Sequence, residues 1–341
     1  MNGYERICAA RRGEPTDRVP VFLHNFMVAA REAGYTMREF GTDPRKAADA
    51  FIRITEKYDL DGVLMDIDTA TTAGALGVPI DFPEHEPARC EHGLLRTLDD
   101  LDRLNSDRVG EDEHLQVWLE TMRRLKEHFG DEKYLRGNID QAPFSAASML
   151  RSPQAWMLDL VDEENHDAVH RLLEICTRAT CRFIELMAGA GAHMVSSGDS
   201  PAGPAMISPE MYREFARPYE DLAAEHAHNH GMPYLLHICG DTGAILDQFT
   251  GRPIDAVELD YQTDVQRIHD TLSGTAVAFW GNIDPSGVLA RGTPDQVRRE
   301  ARKVIKLFSD TPRFVLNSGC ALPADTPEEN MRAFREIVDE A

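Results

Sequence analysis

Residues 234–241 read Tyr-Leu-Leu-His-Ile-Cys-Gly-Asp (YLLHICGD), and this stretch decides the fold. Tyr234–Ile238 is a short apolar run of the kind that parallel strands need when both faces are covered. It stops at Gly240-Asp241, a turn signal. A longer amphipathic stretch follows. The same unit recurs upstream and downstream. Seven more strand candidates share its form: Val19–His24, Gly62–Ile67, Tyr134–Ile139, His193–Ser197, Ala256–Leu259, Ala276–Trp280 and Phe314–Asn317. Helical patterns separate them, among them residues 43–58, Glu164–Ala188, Ser208–Gly231 and Thr293–Ser309. Several open on Ser or Thr followed by Pro, as at 208–210 (SPE) and 293–295 (TPD), which is a helix-start signal.

Eight strands in βα order predict an α/β chain folded as a single (β/α)8 TIM barrel spanning residues 1–341, with an N-terminal helical segment ahead of it. The runner-up is a doubly wound sheet, which is disfavoured because no GxGxxG follows a first strand. Gly189 and Gly191 precede a strand instead. The crossover after strand two, from about Thr69 to Lys133, is far longer than a minimal one. It holds GVPIDFPEHEPARCEHG (77–93), read as a loop or small hairpin over the barrel mouth: a lid, a docking surface or an inert excursion.

Composition narrows the function. Hydrophobic residues make up 42% of 341, enough for a large core, and the formal net charge is −22. Nucleic-acid binders carry the opposite sign, because they must neutralise phosphates; the acidity reads as solubility, as in a salty cytoplasm. No apolar run approaches the roughly 18 residues that would span a bilayer. The opening MNGYERICAARRGEP lacks the apolar centre of a secretion signal, so a cytoplasmic enzyme is expected. The six cysteines (8, 90, 176, 181, 239, 320) form no CxxC pair, and a disulfide framework is not expected. Cys176 and Cys181 fall in a helical pattern and read as core.

Barrel active sites collect where strands end. Those ends here carry His24, Asp66 and Asp68, Asn138 and Asp140, Asp199, His237 and Cys239, Glu258 and Asp260, Asn282 and Asp284, and Asn317 with Cys320. Turn chemistry explains Asp, Asn and Gly at such places; it does not call for a histidine with two cysteines. His237 and Cys239 are two apart and face the same side of a strand. Cys320, distant in sequence, reaches the same rim after strand eight. One imidazole and two thiolates form a soft set that suits zinc, and three ligands with a fourth position open describe a catalytic site. The alternative is two small core thiols and a hydrogen-bonded rim histidine. The run His226-Ala-His228-Asn-His230 reads as a helix C-terminus, where histidines interact well with the dipole.

At these residues the chain resembles the uroporphyrinogen decarboxylase superfamily and, within it, the zinc-dependent corrinoid methyltransferases. The resemblance runs through RICAARRGEPTDRVP (6–20), GDSPAGPAMISPEMYREFARPYE (198–220), HICGD (237–241), GNIDP (281–285) and NSGCALPADTPEENMRAF (317–334). Two departures separate it from the decarboxylases. Their arginine-rich segment after strand one is replaced by HNFMVAAREAGYTM (24–37), where Arg31 stands alone, and Cys320 stands where they carry a histidine.

The resemblance implies that His237, Cys239 and Cys320 bind Zn2+. It further implies methyl transfer between a cobalamin (corrinoid) and a small thiol. The chain has no DxHxxG motif of its own, so a separate corrinoid carrier protein is expected to present the cofactor. The other readings are a demethylase loading a Co(I) corrinoid from a methoxylated or methylthio donor, and a metal-free decarboxylase or tetrapyrrole-binding protein. Asp199 and Glu258 are the catalytic candidates, as fourth ligand, proton acceptor or partner of His237, with Asp260 competing. His24, Asp66, Asp68, Asp260 and Asn282 are the substrate-binding candidates, although Asn282 and Asp284 also read as shaping the turn after strand seven.

Overall fold

The computed structural model describes residues 1–340. Seven parallel strands pair in chain order: β1 Gly62–Met65, β2 Tyr134–Gln141, β3 Met194–Gly198, β4 Tyr234–Ile238, β5 Ala256–Leu259, β6 Ala278–Ile283 and β7 Phe314–Ser318. The curled sheet is the TIM-barrel-type α/β architecture that the strand–turn–helix repetition predicts. The expected first strand is reduced. Val21 makes a single parallel bridge to Leu316. Around it Phe22 N donates to Leu316 O, Leu316 N to Pro20 O and Asp61 N to Val21 O, so this segment joins β7 to the approach to β1 as an eighth stave. Pro20 has no N–H to give a ladder, and the Val21 N–H goes to the Asp61 carboxylate at 2.7 Å. The two residues that open this segment therefore give the ladder no donor.

Two boundaries differ from expectation. β6 starts at Ala278, two residues beyond the expected start, and runs through Asn282, so the expected GNIDP turn begins inside the strand. The helix expected over Ser208–Gly231 is broken into Pro209–Met211, a wide turn over Tyr212–Ala216, and Arg217–Asn229. Pro218 is the cause: it lacks an N–H and its ring crowds the preceding turn, so the ladder opens to a longer-range bond.

The long excursion resolves into a helix at Thr71–Ala75, a hairpin pairing Ile80–Asp81 with Arg89–Cys90, two 3-10 turns and the helix Glu113–Phe129. The hairpin rests on that helix through Phe82, whose ring meets His114 edge-on at 4.9 Å. Asp112 caps the helix by accepting from Leu115 N. At the opposite end of the barrel, the helix Gly3–Arg12 closes the base. Asn2 and Glu5 form its capping box. Its Ile7 and Ala10 join an apolar plug with Phe22, Leu64, Tyr134, Met194, Leu235, Ala256, Ala278, Trp280 and Val315. No helix among the described residues is long and apolar enough to cross a membrane.

Candidate metal centre at the barrel mouth

Two residues beyond the apolar plug, the inward positions turn polar. Arg136 on β2, Ser196 on β3, His237 on β4, Glu258 on β5 and Asn317 on β7 are all buried. A polar layer this deep is stable only when its members satisfy one another. Glu258 is its hub. Oε2 accepts from Arg136 Nη1 and from Asn317 Nδ2, and Oε1 lies 3.1 Å from His237 Nδ1. Arg136 also donates through Nε to Ser196 Oγ at 2.9 Å and lies over the Trp280 ring. Burial opposes a charge on Glu258, but the Arg136 guanidinium and the His237 ring hold its carboxyl well below the usual range.

This hub sets the histidine. Nδ1 of His237 faces the Glu258 backbone oxygen at 3.1 Å as well as the carboxylate, which places a proton at Nδ1 and leaves Nε2 as the atom that would take a metal. A metal-ligating histidine is held in this way. Nε2 stands 3.1 Å from Cys239 Sγ and 3.9 Å from Cys320 Sγ, and the two sulfurs are 3.4 Å apart. The residues expected to converge do converge. Both cysteines are free thiols rather than a disulfide.

A tetrahedral zinc with Zn–S near 2.3 Å and Zn–N near 2.05 Å requires ligand separations of about 3.5–3.8 Å. The three observed separations straddle that range, so the donor set fits the ion. As they stand, the three groups already share charge. A hydrogen bond from Cys320, together with His237, draws Cys239 down to about 3, against the effect of burial. The same bond and burial push Cys320 up. Burial disfavours a charged His237, yet the Cys239 thiolate raises it well above its ordinary value.

The triad opens into a cavity of about 160 Å³ lined by His24, Phe26, Leu64, Asp66, Thr69, Arg136, Asn138, Asp140, Gln141, Gly198, Ser200, Glu258 and Ala321 besides His237, Cys239 and Cys320. Larger hollows exist, such as one of about 460 Å³ among Arg6, Arg18, Asp61 and Arg335. Those charges are already matched across Asp17, Asp59 and Asp61, and the site lies at the base, away from the strand ends where barrel chemistry occurs.

The candidate residues divide. His24 and Asp66 line the cavity and bond each other, Nε2 to Oδ2 at 2.6 Å, with Asn138 Nδ2 on Asp66 Oδ1. Glu258 sits behind the triad. Asp199 does not face the site. β3 points Met194, Ser196 and Gly198 inward, so Asp199 turns to the helices, where Ser145 N and Oγ bind its Oδ1 at 2.9 and 2.5 Å. Burial and the neighbouring Glu220 push its carboxyl well above the usual range. Asp68 is likewise turned away, bonding Thr71 Oγ1, Ala70 N and His114 Nε2. Asp260 accepts from Gly240 N and Gln262 N, and Asn282 donates to Asp260 O and Thr263 O. Both brace loops beside the triad instead of lining the cavity.

Asp284 caps the turn after β6 through Ser286 N and Gly287 N, as its turn-shaping reading predicts. The His226–His230 run does end a helix, and its His226 meets Glu185 on a neighbouring helix at 3.2 Å. Reading the strand ends alone missed Arg136. The signal was present: a charged residue inside the otherwise apolar run Tyr134–Ile139, at the parity of Asn138.

Comparison with known proteins bears on this site. The family model for uroporphyrinogen decarboxylase (URO-D) matches residues 2–341. Among curated relatives, the methylcobamide:CoM methyltransferase MtbA of Methanosarcina acetivorans is 26% identical, covering 98% of this chain and 96% of its own. Uroporphyrinogen decarboxylase of Thermus thermophilus is 28% identical, covering 98% and 97%. Among solved structures, a methyltransferase from Methanosarcina mazei superposes with a TM-score of 0.91 at 23% identity, covering 100% of this chain and 99% of that one. That last likeness establishes the fold.

Proposed function

Because the chain belongs to the uroporphyrinogen decarboxylase family and gathers one imidazole and two sulfurs at its barrel mouth, we propose that it is a zinc-dependent methyltransferase, moving a methyl group between a corrinoid and a small thiol. Relatives named for methyl transfer and for decarboxylation match at 26% and 28%, so overall similarity does not choose between them. The His237–Cys239–Cys320 cluster is the observation that chooses. The cavity supports the choice. Drug-sized ligands occupy roughly 300–1,000 Å³ and a tetrapyrrole is larger than most of them, whereas about 160 Å³ suits a molecule of a few heavy atoms.

A zinc ion held by the three side chains would supply the Lewis acidity that lets a thiol lose its proton near neutral pH. The chain's own part is orientation and exclusion of water. Glu258 fixes the His237 tautomer, and Arg136 keeps Glu258 ionised. Gly240 N on Asp260, with Asn282 behind it, holds the loop that carries Cys239. In the forward direction the thiol sulfur forms a bond to the methyl carbon, the methyl–cobalt bond breaks with its electron pair left on cobalt, and the thiol proton passes to solvent. A separate corrinoid protein would dock over the mouth. The test is metal analysis of the purified protein, followed by consumption of methylcobalamin with a panel of small thiols. Protein without zinc, or zinc-loaded protein inert to every thiol, would overturn the reading.

A further inference from the structure

The cavity beside the triad is rich in carboxyl groups. Three carboxylates line it: Asp66, Asp140 and Glu258. Glu258 is matched by Arg136, and Asp66 by His24 and Asn138. Asp140 has no cation. It is fully buried, its Oδ2 accepts from Thr72 N at 2.6 Å, and its Oδ1 has no partner. Its backbone φ is 63°, a left-handed conformation that few non-glycine residues adopt and that here sets the carboxyl on the cavity wall.

Two further buried atoms of the lining lack a hydrogen-bond partner, His24 Nδ1 and Glu258 Oε1, the latter 3.1 Å from His237 Nδ1. His24 Nε2 meets Asp66 Oδ2 at 2.6 Å, and Nδ1, 4.0 Å from Glu258 Oε1, makes no hydrogen bond. Asp140 Oδ1 accepts, and His24 Nδ1 accepts as well in the tautomer that gives the Nε2 proton to Asp66. The one guanidinium in the lining is bound to Glu258, and Arg31 opens into a different pocket with Tyr35, His85 and Ala324.

We propose that the small substrate carries an ammonium group beside its sulfur, held by Asp140 Oδ1 and His24 Nδ1 while the sulfur reaches the triad. This rests on the thiol methyl-transfer reading above. Burial and the neighbouring Asp68 push the Asp140 carboxyl well above its usual range; an ammonium beside it would offset both effects and gain a charge-assisted bond, whereas a sulfonate or carboxylate head would meet no free cation in this lining.

Three thiols with one two-carbon frame decide it: cysteamine, 2-mercaptoethanol and 2-mercaptoethanesulfonate. The zinc-loaded protein should bind them in that order by calorimetry. Cysteamine should exceed the sulfonate by at least about tenfold, both in affinity and in kcat/KM with methylcobalamin. In Asp140→Asn the advantage of cysteamine over 2-mercaptoethanol should shrink to about twofold or less. Equal or tighter binding of the sulfonate by the unaltered protein overturns the proposal, as does a folded Asp140→Asn protein with its preference intact. Should that variant fail to fold, the order measured on the unaltered protein still decides. Absence of methyl transfer with every thiol would sink the methyltransferase reading instead, and the calorimetric order would still judge this one.

Discussion

The base and the mouth of this barrel are built by the same strands, two residues apart. Phe22 is followed inward by His24, Leu64 by Asp66, Tyr134 by Arg136, Met194 by Ser196, Leu235 by His237, Ala256 by Glu258 and Val315 by Asn317. At the base the inward side chains are apolar, close-packed and sealed by the N-terminal helix. One layer up they are polar, nearly as deeply buried, and hold one another through hydrogen bonds centred on Glu258. A core position is thus not apolar by necessity. The plug supplies burial energy and rigidity, and the layer above it uses that rigidity to hold charged groups in fixed positions.

The sharpest division between the two layers should come from the triad. Cys239→Ser should lower methyl transfer by roughly 10³-fold, since a misligated ion forfeits several kcal/mol of charge stabilisation. Bound zinc should fall with it, and the melting midpoint much less. The plug should behave in the opposite way. Phe22→Ala should cost about 3–5 kcal/mol of stability in denaturant unfolding while zinc stoichiometry is kept under native conditions. If both substitutions lose stability and metal together, the layers are one unit.

Between these lies Glu258→Gln, which keeps the volume but removes the charge that fixes His237. It should weaken zinc binding about 10–100-fold in a chelator competition. An unchanged affinity would show that the backbone oxygen of Glu258 alone orients the ring.

The smallest effect belongs to Asp199, which faces away from the mouth. Asp199→Asn should leave methyl transfer within about twofold. Its consequence is for stability against pH. Burial and Glu220 raise this carboxyl in the folded protein, so between the unfolded and folded values the native state holds the extra proton. Unfolding then becomes easier as pH rises through that window. The variant, neutral at every pH, should flatten this part of the stability curve. An activity loss as large as that of Cys239→Ser would put Asp199 back among the catalytic groups.

Particular residues show how far the chain could be read without coordinates. The strand of residues 234–238 appears with its expected bounds, because an uninterrupted apolar run ending in Gly-Asp leaves a parallel strand little freedom. His237 and Cys239 share a face because strand periodicity is two. Asp199 lies outside the cavity for the same reason: the parity that turns Met194, Ser196 and Gly198 inward, carried one residue further, points it at Ser145. The first strand looked as apolar as the others, yet Pro20 and the Asp61 carboxylate removed its ladder.

Local order along the chain therefore determined the barrel class, the order of its staves and which residues reach the rim, since alternation and turn chemistry act over a few residues. Which rim residues meet was a matter for the closed ring. Arg136, Glu258 and Asn317 lie on three different strands, and Asp140 lines the cavity with its backbone held left-handed. Contacts of that kind depend on strand register and curvature summed around the whole barrel, which no short window of sequence contains.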